Sequence, residues 1–280
     1  MDKGIIKKFD KAIEANEGLE PVLSFYRDVL KEQIKVANKV EEPKEIPSAK
    51  EVKDSLLKGE PLIKNWSAPL NPNQVEKLFY KLIEILLKHR SEKSAELAKI
   101  KEIPWDFSKL GETFANEDLA PILEQAEKEG VDQSLFSFLF INSLRPFYIS
   151  YAEATRHLIN DSDWTRPHCP VCGQLGQIAK LEGEGGKRYL YCSLCDTTWL
   201  YKRLECPYCG AGHEQLRYLD VEDSNYQIDV CDNCKGYIKT LDARELSSQP
   251  YMFLEDLLTI HLDLLAQKEG FSKDPAKTKQ

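Results

Sequence analysis

Between Leu19 and Val40 the apolar positions Val22, Leu23, Phe25, Tyr26, Val29, Leu30, Ile34 and Val36 recur mostly at helical spacing, predicting a helix with one broad apolar face. Ser48-Ala49-Lys50-Glu51 fits a capping box, in which the Ser48 hydroxyl and the Glu51 carboxylate each satisfy a free backbone amide. It predicts a short helix reaching about Lys58. The next helix opens at Asn71 or Asn73 and carries Val75, Leu78, Phe79, Leu82, Ile83, Ile85, Leu86 and Leu87, apolar on nearly every side and suited to the inside of a bundle. Ser91 to Ile103 reads as helix and stops at Pro104. Further helices are expected over 118–130, over 132–144 and from about Pro146 to Ile159. The apolar run Leu135 to Ile141 is far short of the ~20 residues that span a bilayer, so it reads as a buried helix segment.

After Asn160 the pattern changes to short alternating runs punctuated by Pro and Gly. Arg188 to Tyr191, Leu216 to Asp220 and Tyr226 to Val230 predict strands, and Gly183-Glu-Gly-Gly186 a hairpin turn. From Glu245 helical spacing returns, with Phe253, Leu254, Leu257, Leu258, Leu262 and Leu265 on one face that packs back on a neighbouring domain. The tail after Gly270 is polar and expected to fray.

Composition narrows the function classes. The chain of 280 residues carries a formal net charge of -8. Residues 165–250 hold ten lysines and arginines against twelve aspartates and glutamates, so that segment is not basic either. Neither value favours a phosphate backbone or an anionic lipid surface. The first 18 residues show no apolar stretch followed by a small-residue cleavage site, which points to a cytoplasmic protein whose thiols stay reduced. No G-x-S-x-G, H-E-x-x-H or P-loop is present, and no catalytic residues are assigned.

All eight cysteines fall in four C-x-x-C pairs: Cys169/Cys172, Cys192/Cys195, Cys206/Cys209 and Cys231/Cys234, with 19, 10 and 21 residues between pairs. A spacing of two lets both sulfurs of a pair meet one ion from a tight turn. Cys169-Pro-Val-Cys-Gly173 and Cys206-Pro-Tyr-Cys-Gly210 share one form, and each is followed about 20 residues later by a second pair, a duplication of a four-cysteine unit. The simplest grouping puts Cys169, Cys172, Cys192 and Cys195 on one ion, and Cys206, Cys209, Cys231 and Cys234 on another. A crossed grouping, first pair with third and second with fourth, stays open, because spacing does not fix which pairs meet. Closed tetrathiolate sites offer no open position for catalysis, so they read as staples for a small domain, with a redox role as the competitor. Iron and zinc both suit four thiolates. His168 and His213 are expected to lie outside the ligand sets, and Trp199 and Tyr237 to pack rather than stack on bases. A zinc-ribbon nucleic-acid binder is the reading that the acidic balance disfavours.

The strings Trp164-x-x-Pro-His-Cys-Pro-Val-Cys-Gly173, Arg188-Tyr-Leu-Tyr-Cys-Ser-Leu-Cys-Asp-Thr-Thr-Trp199, Cys206-Pro-Tyr-Cys209 and Cys231-Asp-Asn-Cys-Lys-Gly-Tyr-Ile-Lys239 resemble the formate dehydrogenase accessory protein FdhE family. Leu262-Asp-Leu-Leu-Ala266 followed by Glu269-Gly270 resembles that family's C-terminal helix. The close resemblance covers about 110 residues; the helical part is similar only in length, helicity and position. It implies an α+β multidomain protein: an all-α helical bundle over 1–164, rubredoxin-like or zinc-ribbon β modules over 165–203 and 204–248, and a C-terminal helix with a polar tail over 249–280. It also implies a non-enzymatic, cytoplasmic maturation factor that binds the catalytic subunit of a molybdenum or tungsten formate dehydrogenase before that enzyme is complete. Iron is the metal it suggests for the eight cysteines. The alternative is a redox carrier acting in that maturation, either through rubredoxin-like iron or through dithiol/disulfide exchange.

Overall fold

The computed structural model describes residues 4–110, 120–221, 224–273 and 275. The chain forms two compact units, one of Met1–Pro47 with Ile63–Thr155, the other of Ser48–Leu62 with Arg156–Gln280.

The first unit is helical. Its helices are α1 (Gly4–Ala15), α2 (Glu20–Ala37), α4 (Pro72–His89), α5 (Ser94–Glu102), α6 (Ala120–Lys128) and α7 (Gln133–Thr155); α3 (Ala49–Lys58) belongs to the second unit. The apolar faces of α2, α4 and α7 meet, burying Leu23, Leu30, Phe79, Leu82, Ile83, Phe136, Leu139 and Leu144 almost completely. Asn71 starts α4 by accepting the Gln74 amide on its side chain, with Pro72 at a position where a missing N–H costs nothing. The helix expected over 118–130 is found from Ala120; residues 118 and 119 lie outside the described residues.

One expectation fails at Pro146. The two helices expected over 132–144 and from about Pro146 to Ile159 are one, and α7 continues through the proline to Thr155. A proline frees the carbonyl four residues earlier, here that of Asn142. The Gln33 amide of α2 takes that acceptor at 2.8 Å, and the Arg145 guanidinium in turn donates to Gln33 Oε1 at 3.1 Å. A neighbouring helix has supplied the lost hydrogen bond, so the helix has no reason to stop.

The second unit is built on one six-stranded sheet of β1 (Ile178–Glu182), β2 (Lys187–Tyr191), β3 (Thr198–Tyr201), β4 (Leu216–Asp220), β5 (Tyr226–Cys231) and β6 (Tyr237–Asp242). The order is β3-β2-β1-β6-β5-β4. Each four-cysteine segment contributes an antiparallel meander, and the seam between them is a parallel pairing of β1 with β6, Ile178 opposite Lys239 and Leu181 opposite Asp242. The third strand of one meander thus lies beside the first strand of the other. Gly183 and Gly186, both at positive φ, close the expected β1–β2 hairpin. Strands β1, β3 and β6 had no separate sequence signal.

The C-terminal helix starts later than expected and is two helices, α8 (Met252–Leu258) and α9 (Ile260–Lys268). The split between them falls over Lys239. Its ammonium, fully buried on β6, donates to the carbonyls of Asp256 and Thr259 at 2.7 and 3.3 Å and pairs with the Asp256 and Asp263 carboxylates at 2.7 and 2.8 Å. A cation at a helix C-terminus satisfies its last carbonyls and favours an end there. These helices pack on their own sheet: Leu262, Ala266 and Phe271 join Ile228, Val230 and Tyr237 in one buried cluster. The start of the tail therefore does not fray. Ser272 donates to the Lys235 carbonyl and accepts from the Tyr237 amide, while Phe271 is 4% exposed, a burial of about 2 kcal/mol. The end of the tail, 276–280, lies outside the described residues.

Candidate metal centres

Every C-x-x-C pair sits in the same loop. The amide four residues after the leading cysteine donates back to that cysteine's carbonyl: Gly173 to Cys169, Asp196 to Cys192, Gly210 to Cys206 and Lys235 to Cys231, at 2.9 to 3.0 Å. The leading cysteine's own amide donates to the carbonyl one residue further on, at Gln174, Thr197, Ala211 and Gly236. Closing this turn needs a left-handed residue, and Gly173, Asp196, Gly210 and Lys235 have φ of 77°, 56°, 71° and 60°. Glycine takes that conformation freely; aspartate and lysine hold it against a steric penalty. The loop aims both sulfurs of a pair to one side, and the meander brings two such loops face to face.

The result is two quartets, Cys169, Cys172, Cys192 and Cys195, and Cys206, Cys209, Cys231 and Cys234, the sulfurs of each lying within 4.8 Å of one another. The pairs meet in sequence order, first with second and third with fourth; the crossed grouping is not the one found. Across the first quartet the Cys169–Cys195 and Cys172–Cys192 sulfurs are 3.5 and 3.4 Å apart. In the second, Cys206–Cys234 and Cys209–Cys231 are both at 3.7 Å. Sulfurs placed ~2.3 Å from a central ion at tetrahedral angles stand ~3.8 Å apart, whereas a disulfide needs ~2.0 Å. The spacing fits a tetrathiolate ion.

Electrostatics point the same way. Burial pushes the Cys169 and Cys172 thiols well above their ordinary value. Burial acts against ionisation of Cys192 as well, but hydrogen bonds from Cys169, Cys172 and Cys195 outweigh it and hold that thiol well below. In the second quartet desolvation raises Cys206, and raises Cys234 to about 11. For Cys209 desolvation is outweighed by the Asn233 side-chain amide and the Ala211 backbone amide, which bring it down to about 7. Four thiolates this close repel one another, so only a cation among them makes full deprotonation favourable.

Surrounding groups complete the donor sets. Amides of Tyr208 and Gly236 point at the Cys206 and Cys234 sulfurs at 3.4 and 3.3 Å, and Asn233 Nδ2 at Cys209 at 3.4 Å. The Thr197 hydroxyl lies 3.2 Å from Cys195 Sγ. Asn233 and Thr197 had no sequence signal beyond their places within two residues of a cysteine. His168 is not in a quartet: its carbonyl accepts the Trp164 indole N–H at 2.8 Å and its ring meets Trp164 edge-on. His213 lies on the surface, beside Glu214. Trp199 is buried and donates to the Arg166 carbonyl at 3.0 Å, and Tyr237 is buried with its hydroxyl on Asp263 at 2.9 Å. The segment 48–62 reaches the first quartet. Ser48 and Glu51 form the expected capping box of α3, Gly59 ends that helix at φ 82° beneath the Arg166 guanidinium, and the Leu62 amide donates to the Pro170 carbonyl at 2.9 Å.

Among the described residues no helix is long and apolar enough to cross a membrane.

Known proteins resemble this chain in both sequence and fold. Residues 168–203 match the family described as FdhE, central domain, and residues 204–278 match FdhE, C-terminal domain. A protein FdhE homolog of Aquifex aeolicus is 25% identical over 269 residues, covering 94% of this chain and 88% of the relative. Homologs of the same name from Shewanella baltica and Pectobacterium atrosepticum are 36% and 35% identical over 106 and 112 residues, or 37% and 39% of this chain. Those alignments span only 35% and 36% of the relatives' own length. The crystal structure of the FdhE protein from Pseudomonas aeruginosa superposes with a TM-score of 0.62 at 19% identity, over 94% of this chain and 90% of that one, a likeness of fold.

Proposed function

We propose that this chain is a member of the FdhE family and an accessory protein in the maturation of a formate dehydrogenase, a reading supported by its two FdhE domain matches and its end-to-end similarity to an FdhE homolog. It acts in the cytoplasm and binds the immature catalytic subunit of a molybdenum or tungsten enzyme through a surface shaped by its two cysteine quartets. The observation that carries this reading is the pair of cages within one sheet. Cys169, Cys172, Cys192 and Cys195 hold one ion and Cys206, Cys209, Cys231 and Cys234 the other, iron being the family's suggested metal and zinc its chemical equal here. When bound, each ion supplies the positive charge that keeps four thiols ionised and ties two loops together. The chain's own part is to fix those loops by the left-handed turns, to bury the sulfurs and to hold the sheet whose faces meet the partner. Four sulfurs leave no open coordination position, which supports a role without catalysis.

A purified immature catalytic subunit, mixed with this protein loaded with metal under exclusion of oxygen, is expected to co-elute with it, and the mature enzyme is not. Equal retention of the two forms, or retention of neither, would overturn the proposal.

A second reading, a rubredoxin-like carrier acting in the same maturation, is favoured by the exposed Cys209, which brings one ion close to the surface. Protein loaded with iron would then show visible absorbance that bleaches and returns through cycles of reduction and oxidation. A zinc-only protein in the native cell excludes that role.

A further inference from the structure

The two quartets share loop geometry and differ in surroundings. In the first, all four cysteines are buried, and so are three residues between the paired cysteines, Pro170, Val171 and Leu194. Trp164 and Trp199 are buried in the same module, 1% and 2% exposed. In the second, Cys209 is exposed, and the corresponding turn is Cys231-Asp232-Asn233-Cys234, whose Asn233 is exposed where the first quartet has Leu194. Cys206, Cys231 and Cys234 stay buried. One corner of the second tetrahedron therefore faces solvent and no corner of the first does.

Thiolate ligands are replaced by direct approach of an incoming donor, and the rate depends on access to the ion and on how the leaving sulfur is held. We propose that the second quartet is an exchange centre, which takes up and gives up its ion through Cys209 by substitution with a small thiol from solvent, while the first quartet is a fixed one. Cys209 leaves the ion as the sulfur of the incoming thiol replaces it, and takes the proton that thiol releases. No electron moves in this first substitution and the ion keeps four sulfurs. Its release follows as further small thiols displace the remaining three cysteines in the same way, each freed cysteine taking the proton of the thiol that replaces it. Asn233, whose side chain donates to Cys209 Sγ, stabilises the departing sulfur. This inference rests on the metal-binding reading above and adds to it that the two sites have unequal roles.

The test uses the full chain loaded with zinc, challenged with 2-mercaptoethanol and a chromogenic chelator, while iodoacetamide labelling is followed by peptide mass spectrometry. One zinc per chain is expected to leave at least about tenfold faster than the other, given the difference in access. The first label falls on Cys209. Asn233→Leu, which copies the buried residue of the first quartet, slows the fast phase and leaves the slow one unchanged. Loss of both ions in a single phase, or a first label on Cys169, Cys172, Cys192 or Cys195, overturns the inference while leaving two metal centres in place. Failure of the chain to take up two ions overturns the metal-binding reading itself, and this inference with it.

Discussion

The four left-handed turn residues are a natural experiment at the scale of single side chains. Gly173 and Gly210 adopt positive φ without cost, while Asp196 and Lys235 carry a Cβ there, a penalty of ~1 kcal/mol or more. Lys235 also pairs with Asp232 at 3.2 Å, but both groups are solvent-exposed and the pair contributes only a few tenths of a kcal/mol. The Lys235 ammonium also lies 5.5 Å from the centre of the Phe271 ring, a contact of about 0.5–1 kcal/mol that offsets the backbone strain. Lys235→Gly is therefore expected to change the stability of the metal-loaded protein by less than about 0.5 kcal/mol, while Gly173→Ala destabilises it by about 1 kcal/mol, both read by urea unfolding. A second residue-scale outcome concerns acid. Partial burial opposes ionisation of Asp28, yet hydrogen bonds from Lys88 at 2.7 Å and His89 at 3.1 Å hold its carboxyl at about 2. A depressed folded value means stability that is present above the unfolded value and lost as pH falls toward the folded one. Asp28→Asn should therefore cost about 1 kcal/mol at pH 6, after allowance for the exposure of Lys88, and nothing near pH 2. At this scale the four C-x-x-C turns were legible, because each is local, while their spacing left open which pairs face one another. Lys239 was not: nothing in its neighbourhood along the chain announces two carboxylates and two carbonyls supplied from residues 256–263.

Helix α7 shows where local rules stop deciding. The capping box of α3 and the apolar faces of α2 and α4 could be read directly, since each is complete within one turn or one face. Pro146 misled because its missing bond is replaced by Gln33, 109 residues away from the Asn142 carbonyl it serves. Removing Gln33 should expose that debt. Gln33→Leu leaves a buried carbonyl without its donor and is expected to cost about 2 kcal/mol. In Pro146→Ala the restored N–H can reach Asn142 by itself, so the double variant should recover about 1 kcal/mol of that loss. Additive losses in thermal or denaturant unfolding would refute the account.

The whole second unit depends on a seam that no periodicity could reveal, since β1 and β6 are separated by more than fifty residues and pair in parallel. The four-cysteine duplication was visible; the way its copies join, third strand of one to first strand of the other, was not. Because that seam makes one sheet of two meanders, damage on one side should spread. Replacing both Cys169 and Cys172 by serine is expected to accelerate amide exchange in β6 as well as in β1, although β6 belongs to the other meander. Protection unchanged in β6 would mean the two halves of the sheet stand independently. Metal affinity should also fall with acidification, as each ion binds only after its four thiols give up protons.

The reach of residues 48–62 into the cysteine-bearing half has a practical result for anyone dissecting the molecule. A fragment cut to begin just after Thr155 would include all eight sulfurs yet lack the hydrogen bond from Leu62 to Pro170 and the glycine on which Arg166 rests. Such a piece would be missing part of its own wall, and a synthetic peptide of those fifteen residues, added back, is what would mend it.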